Sequence, residues 1–334
     1  MADYVVVGGG IAATQAAETV RKLRKKDAVT LVAEEERPFY LRPLLADFVA
    51  GRVEEARLWR NFDSAAAASN IRLITGKKVT GIDRAQRSLV LDGGTKVRFD
   101  KLLVATGVKP HLPDIPGVKL DRVTGFSQYA DAVRVKQWAE GARTAVVVGR
   151  GLQGVELTRA LRLRGLDVTM IVPDESPWFP ALFQVRGDVI ERKLEERGVK
   201  VIALDQPAEV IGRGGRAVAV KTRRGAEIPA EIVGFALDQR TSVQFLVGSG
   251  ISLADGVVVD SRLQSTDENV YAAGDVAQLE IDGRRRPLGY GWLRATQHGE
   301  AAGRNMGGEK AEVEVGDETE AQALYGASLL ARWG

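Results

Sequence analysis

The first two dozen residues constrain the fold more than any other stretch of this 334-residue chain. Strand-forming residues run into Gly8-Gly9-Gly10, and a helix-compatible run follows at residues 11–24. Gly8 permits a tight turn, Gly10 has no Cβ to keep a pyrophosphate from the backbone, and Ala13 is small where the helix must approach the strand. The N terminus of such a helix also offers free N–H groups and a positive dipole end. The stretch therefore predicts the phosphate-binding corner of a dinucleotide-binding fold.

An acidic residue follows at the distance that this motif requires. The apolar run at residues 28–33 predicts a second parallel strand, and Glu34 stands directly after it. A carboxylate at this strand end can accept hydrogen bonds from both hydroxyls of an adenosine ribose, so we predict that role for Glu34. Glu35 and Glu36 come next, and a solvated run of charges is the alternative interpretation.

The opening pattern occurs a second time in the middle of the chain. Residues 145–154 place Gly149, Gly151 and Gly154 in the G-x-G-x-x-G spacing after a run of valines. A helix-compatible run and a new strand, Asp167–Val172, come after it. Two such units predict either two bound dinucleotides or one dinucleotide and a degenerate copy of its site.

Three further segments make a family resemblance specific. Residues 101–107 read KLLVATG and residues 269–275 read NVYAAGD. With GGGIAA and GRGLQG, these motifs occur in the order that resembles the pyridine nucleotide-disulfide oxidoreductase-like FAD enzymes, a family with two dinucleotide-binding domains. Residues 38–51 are similar to its rubredoxin reductase and nitrite reductase flavin-domain branch. The resemblance covers residues 3–308 and implies an α/β fold of two Rossmann-like three-layer domains, the second inserted in the first.

The resemblance also implies a domain organisation. We expect an FAD-binding domain in two parts, residues 1–114 and 238–308, with a NAD(P)-binding-like domain between them at residues 115–237. Residues 309–334 form a short tail, in which the apolar spacing of residues 321–333 predicts one amphipathic helix. Members of the resembled family continue into a further interface domain. We therefore expect a different assembly here, either an oligomer with a non-standard interface or a subunit of a larger complex.

Composition narrows the chemistry that the chain can carry. Hydrophobic residues make up 45% and charged residues 27%, as in a globular protein. The chain has no cysteine, which excludes a redox disulfide, an iron–sulfur cluster or a thiolate zinc site built from its own residues. With only two histidines, we expect no metal site. The chemistry must therefore lie in a bound cofactor.

Charge and hydropathy set expectations about partners and location. The net charge of +3 is spread along the chain, so we expect no nucleic-acid partner. The triplet Arg284-Arg285-Arg286 predicts a solvated turn, with docking of an acidic electron-transfer partner as the alternative. A core strand begins soon after Met1 and no apolar run has the length of a membrane span, so we expect a cytoplasmic protein.

The resemblance assigns an FAD site to the first unit. Gly8, Gly10 and Ala13 would hold the FAD pyrophosphate, and Glu34 would hold the adenosine ribose. The other positions that the resemblance places near FAD are Arg42, Pro43, Thr106, Gly107, Gly274 and Asp275.

The roles of two residues in this unit are open, and a third residue departs from the usual motif. Asp275 can contact the ribityl chain or phosphate, and it can cap the turn that follows it. His298 lies just inside a helix that points toward the flavin in such folds, and we interpret it as structural, with tuning of the flavin as the alternative. Asp47 stands where a common variant of the motif has a lysine, which puts the usual flavin-side ion pair in doubt.

The second unit has the frame of a nicotinamide site. Gly149, Gly151 and Gly154 can accept a second pyrophosphate. Glu156 matches the G-x-E position, which the resemblance places near the nicotinamide amide. We therefore expect NAD(P)H as the second cofactor.

Two departures weaken this nicotinamide site. Val172 and Pro173 stand where an acid for the ribose is usual, and Asp174 and Glu175 come too late to replace it. Asp238 stands where the family usually has a glycine, and its carboxylate would repel the phosphates.

The sequence thus supports one main function and one alternative. The main hypothesis is an FAD-dependent NAD(P)H oxidoreductase that passes a hydride to FAD and electrons onward to a ferredoxin- or rubredoxin-like protein. The intact second fingerprint and Glu156 favour it. The alternative is an FAD-containing electron-transfer subunit of a larger complex, with a degenerate nicotinamide site. Val172, Asp238 and the short tail favour the alternative, and a non-redox nucleotide sensor has little support.

Overall fold

The computed structural model describes residues 1–173, 187–237, 239–281, 283–287 and 291–313. The strands are β1 (Asp3–Val7), β2 (Ala28–Val32), β3 (Ile71–Ile74), β4 (Val79–Asp83), β5 (Ser88–Leu91), β6 (Lys96–Arg98), β7 (Lys101–Val104), β8 (Val108–Pro110), β9 (Val123–Gly125), β10 (Thr144–Gly149), β11 (Asp167–Val172), β12 (Lys200–Ala203), β13 (Pro207–Arg213), β14 (Arg216–Thr222), β15 (Glu227–Pro229), β16 (Ile232–Ala236), β17 (Gln239–Thr241), β18 (Val257–Val259), β19 (Val270–Ala272), β20 (Ala277–Ile281) and β21 (Arg284–Pro287). The α-helices are α1 (Ile11–Leu23), α2 (Leu45–Val49), α3 (Phe62–Ala68), α4 (Tyr129–Ala139), α5 (Leu152–Leu163), α6 (Gly187–Glu195) and α7 (Trp292–Met306).

The chain divides into two compact units. The first contains Met1–Leu41, Trp59–Lys109 and the described chain from Arg240 onward. The second contains Arg42–Leu58 and Pro110–Gln239. The units therefore change at 109/110 and 239/240, where we predicted domain boundaries at 114/115 and 237/238. They also group the segment Arg42–Leu58 with the second unit, whereas we predicted it within the first.

A five-stranded parallel sheet forms the centre of the first unit, in the order β19-β7-β1-β2-β3. Its middle strand, β1, places Val5 opposite Thr30 of β2 and Leu102 of β7. The residues of β1 after Asp3 are all buried, as expected for a parallel strand with both sheet faces covered. The strand ends at Gly8 and α1 follows, so the first fingerprint lies at the carboxyl ends of the strands.

The second unit repeats this plan with a parallel sheet in the order β12-β11-β10-β16-β9. Strand β10 occupies the position of β1, and α5 follows it as α1 follows β1. A three-stranded antiparallel sheet, β13-β14-β15, belongs to the same unit, and α2 packs on α4 and α5. The predicted fold class, two Rossmann-like α/β units, is confirmed.

Smaller sheets account for the remaining strands of the described residues. Strands β4-β5-β6 form an antiparallel sheet, and Asp92-Gly93-Gly94 lie in the predicted hairpin between β5 and β6. Strands β18-β20-β21 form another sheet, and β8 pairs with β17. Among the described residues, the longest apolar stretches of helix fall short of what a membrane crossing requires.

Candidate dinucleotide sites

The loop between β1 and α1 has one glycine position without space for a side chain, which we call closed, and one with space, which we call open. Gly8 has a φ of 140°, and a Cβ there would lie 2.1 Å from the carbonyl oxygen of Ala105, so only glycine fits. Gly10 is the N-cap of α1, and a Cβ at this residue would meet nothing within 4 Å. Ala13 is fully buried under the loop. The open backbone at Gly10 and the N terminus of α1 therefore form a cradle that a diphosphate can approach.

The structure pairs the predicted ribose acid with a lysine that the sequence analysis missed. Lys109 in β8 donates a hydrogen bond from its Nζ to Oε2 of Glu34 at 2.5 Å, and both side chains are partly exposed. The carboxylate at the end of β2 therefore has its charge offset by a neighbouring ammonium. The two residues are 75 positions apart, and the only sequence signal for the pair is that Lys109 comes shortly after a strand that lies in the same sheet.

The ATG segment is fixed by the returning chain of the same unit. Thr106 donates a hydrogen bond from Oγ1 to the carbonyl of Ser242 at 3.0 Å, and the backbone N–H of Ser242 donates to the carbonyl of Gly107 at 3.3 Å. Gly107 has a φ of 61°. These bonds hold the chain in a sharp turn after β7, close to the carboxyl ends of the sheet.

Gly274 and Asp275 form a single 3₁₀ turn after β19. The turn spans Gly274–Val276, and Ala273 is its N-cap, with a backbone N–H bonded to the carbonyl of Val104 at 3.0 Å. Asp275 lies inside this turn, and its predicted contact with FAD and its predicted capping of the following residues both stay predictions. Gly274 is buried and close to Ala12 of α1, so the turn lies beside the first fingerprint.

His298 lies in the second turn of α7 and is 2% exposed. Burial, with a smaller effect from the charge of Arg294, lowers its pKa from 6.5 to about 4. Its Nδ1 has no hydrogen-bond partner within the described part of the chain. The neighbouring Gly299 packs so closely on α1 that a Cβ would lie 2.4 Å from the carbonyl oxygen of Ala12. The buried imidazole is therefore neutral near pH 7, and its structural role stays a prediction.

The second fingerprint repeats the closed and open positions of the first. A Cβ at Gly149 would lie 2.3 Å from the carbonyl oxygen of Ala236, and one at Gly154 would lie 3.2 Å from Cε of Met170. Gly151 is the N-cap of α5, and a Cβ there would meet nothing within 4 Å. The loop therefore offers an open backbone beside a helix N terminus, as the first loop does.

The structure describes only some of the second-unit positions at which an acid, or the lack of one, bears on nicotinamide binding. Val172 ends β11 and is fully buried, so the last residue of this strand is an apolar side chain and not the usual acid. Glu156 is half-buried in α5, five residues after Gly151. Asp174, Glu175 and Asp238 lie outside the described residues, as does the predicted helix at residues 321–333.

Asp47 forms an ion pair of a different kind from the one that a lysine would form. Its Oδ1 accepts a hydrogen bond from Nη1 of Arg159 in α5 at 2.7 Å, and the exposed fractions of the two side chains are 26% and 5%. The guanidinium is therefore the more deeply buried partner. A lysine at position 47 would supply the positive charge of an ion pair. Here position 47 supplies the negative charge, and Arg159 supplies the positive one.

Further polar contacts tie Arg42–Leu58 to residues that flank helices α4 and α5 of the second unit. Arg42 donates to the carbonyl of Ser127 at 2.6 Å, and Arg164 donates from Nε to the carbonyl of Val49 at 2.8 Å. These bonds place Arg42 and Pro43 in the second compact unit. Their predicted proximity to FAD stays a prediction.

Comparison with known proteins identifies the family. The model of the pyridine nucleotide-disulphide oxidoreductase family matches residues 2–303. The chain therefore belongs to this family. Homologues and structural neighbours of the chain bind FAD and NAD(P)H, the cofactors that we predicted.

Among curated relatives, the assimilatory nitrate reductase electron transfer subunit of Bacillus subtilis (strain 168) is 28% identical over 82% of this chain and 36% of that protein. Rhodocoxin reductase of Rhodococcus erythropolis is 29% identical over 84% of this chain and 66% of that protein. The chain thus spans less than two thirds of the length of both relatives.

A solved structure shows the same fold. The covalent putidaredoxin reductase–putidaredoxin complex matches with a TM-score of 0.85 and 22% identity, over 94% of this chain and 77% of the matched chain. The agreement covers nearly all of the chain and supports the arrangement of each Rossmann-like unit.

Proposed function

We propose that this chain is an FAD-dependent NAD(P)H oxidoreductase that passes electrons from a nicotinamide nucleotide through FAD to a ferredoxin- or rubredoxin-like protein. The observation that carries the proposal is the repeated phosphate-binding loop, closed at Gly8 and Gly149 and open at Gly10 and Gly151. Two open cradles in one chain fit a resident dinucleotide and a second, exchangeable one. Relatives named rhodocoxin reductase and ferredoxin–NAD(+) reductase component support the direction of transfer.

The first unit supplies the residues that would hold FAD. The backbone at Gly10 and the first turn of α1 would bind its diphosphate, and Glu34 would bind its adenosine ribose. Lys109 offsets one negative charge beside a site that must accept two phosphates. When bound, FAD accepts a hydride from NAD(P)H and releases one or two electrons to the next carrier.

The second unit supplies the residues that would hold the nicotinamide nucleotide. The open backbone at Gly151 and the N terminus of α5 would bind its diphosphate, and Glu156 would orient the nicotinamide amide. We further propose that the protein works in the cytoplasm, where NAD(P)H is available.

An alternative function is an FAD-containing electron-transfer subunit with a degenerate nicotinamide site. The observation that favours it is the buried Val172 at the end of β11, at the position where the family usually has an acid for the ribose. The Bacillus relative that is named as an electron transfer subunit is consistent with this alternative.

An anaerobic titration distinguishes the two functions. The FAD-loaded protein is titrated with NADH and, separately, with NADPH while the flavin absorbance is recorded. We expect bleaching at about one equivalent of one nucleotide, as in a flavin that accepts a hydride. A flavin that dithionite bleaches but neither nucleotide does would replace the proposal by the alternative. Mixing the reduced protein with a [2Fe–2S] ferredoxin or a rubredoxin then tests the acceptor class.

A further inference from the structure

The second unit has a crevice whose position follows from its sheet topology. The strand order β12-β11-β10-β16-β9 reverses between β10 and β16. In open parallel sheets, ligands bind at the carboxyl ends of the strands where the order reverses. Gly149 at the end of β10 lies opposite Ala236 at the end of β16, so the loops that leave these two strands flank the crevice.

One side-chain hydrogen bond joins the two sides of this crevice. Gln153 lies in the first turn of α5, two residues after Gly151, and Gln239 follows the end of β16 by three residues. Gln239 donates from Nε2 to Oε1 of Gln153 at 2.6 Å, and both side chains are half-buried. The bond therefore bridges the crevice beside the open Gly151 position.

We propose that this hydrogen bond, which we call the amide latch, closes the nicotinamide crevice of the free protein and opens when a dinucleotide binds. The inference rests on the proposed function, because it requires NAD(P)H to bind at the N terminus of α5. A dinucleotide whose diphosphate lies at Gly151 must extend between the two loops. Gln153 in α5 and Gln239 at the start of β17 are joined at 2.6 Å, which leaves no room for a ligand between their side chains.

The change in nucleotide affinity expected on removal of the latch follows from the chemistry of its hydrogen bond. The bond joins two neutral amides, and opening it exchanges one protein–protein hydrogen bond for bonds to water or ligand. The net contribution of one such bond corresponds to about a three- to tenfold change in an equilibrium constant. Because the latch exists only in the free protein, its loss should accelerate association and leave dissociation unchanged.

The test measures nucleotide binding in the absence of turnover. The ligand is 1,4,5,6-tetrahydro-NADH, which cannot transfer a hydride, and its 2′-phosphorylated form. The FAD-loaded wild type is compared with Gln239→Ala, Gln153→Ala and the double variant by calorimetry and stopped-flow fluorescence. The matched control is Gln137→Ala, which removes an exposed glutamine from α4 of the same unit.

We expect Gln239→Ala to raise the association rate constant about three- to tenfold and to lower Kd by the same factor. In the Gln153→Ala background, Gln239→Ala should add nothing to the rate, and Gln137→Ala should match the wild type. A rate constant that Gln239→Ala leaves unchanged or lowers, with wild-type binding intact, overturns the latch alone. Absence of binding in every variant overturns both the latch and the proposed nicotinamide site.

Discussion

The ion pair between Asp47 and Arg159 reverses the sign of the charge at a position where a common variant of the motif has a lysine. A buried guanidinium needs a compensating charge, and Asp47 provides it from a neighbouring segment of the same unit. The pair also anchors α2 on α5, because Asp47 lies in α2 and Arg159 lies in α5. Asp47 is therefore paired with Arg159, whose positive charge would repel a lysine at position 47.

Removing the acid should destabilise the second unit. Asp47→Asn removes the negative charge that pairs with the buried Nη1 of Arg159, and we expect a loss of about 2–3 kcal/mol in the free energy of unfolding. Asp47→Leu combined with Arg159→Leu should lose less than the sum of the single changes. Urea unfolding measures these differences. The control is Asp121→Asn, which breaks an exposed pair with Arg216 and should change stability by less than about 1 kcal/mol.

His298 should make the stability of the protein depend on pH. Its pKa is lowered from 6.5 to about 4 by burial, so the unfolded chain binds a proton below pH 6.5 while the folded chain stays neutral until about pH 4. Stability is therefore lost as the pH falls through this window, by about 2 kcal/mol between pH 7 and 4.5. His298→Gln should remove that part of the acid sensitivity in urea titrations at the two pH values. If His298→Gln and the control His111→Gln lose equal stability on acidification, the burial argument fails.

At the scale of elements, the two strand–loop–helix corners could be predicted because their determinants are local. A glycine triplet or a G-x-G-x-x-G run between valines and a helical pattern is enough to define each corner. Lys109 and Arg159 could not be found in this way, because their partners lie 75 and 112 residues away. The grouping of Arg42–Leu58 with the second unit depends on the same kind of distant contact.

The first corner makes a prediction that separates folding from cofactor binding. Gly8→Ala would place a Cβ against the carbonyl oxygen of Ala105 at a positive φ, so we expect a loss of at least about 3 kcal/mol in stability. Gly10→Ala meets no neighbour and should change stability by no more than about 1 kcal/mol. It should nevertheless weaken FAD binding by about tenfold or more, because the methyl group occupies the diphosphate cradle.

Two measurements on each variant test this contrast. Urea unfolding of the FAD-free protein gives the stability, and titration with FAD, followed by flavin fluorescence, gives the affinity. Gly10→Glu serves as a stronger version of Gly10→Ala, since it adds a negative charge to the cradle. A Gly10→Glu protein that purifies yellow with full FAD occupancy would show that the diphosphate binds elsewhere.

At the scale of the whole molecule, the two units repeat one plan and should therefore respond separately to two ligands. A ligand that binds only the folded state stabilises the elements that it contacts, and local opening of their backbone amides becomes rarer. FAD is expected to protect the loop after β1, the ATG segment and the turn Gly274–Val276. A nicotinamide nucleotide is expected to protect the loop after β10 and the first turn of α5.

Hydrogen–deuterium exchange of the FAD-free protein measures both responses in one molecule. Addition of FAD should slow exchange in peptides around Gly10, Thr106 and Asp275, and addition of tetrahydro-NADH should slow exchange around Gly151. The comparison is internal, because each ligand has the other unit as its control. If tetrahydro-NADH at saturating concentration protects no peptide of the second unit, that unit is a structural copy of a nicotinamide domain. Val172 in place of the usual ribose-binding acid would then be the physical reason, and electrons would have to enter FAD from a partner protein.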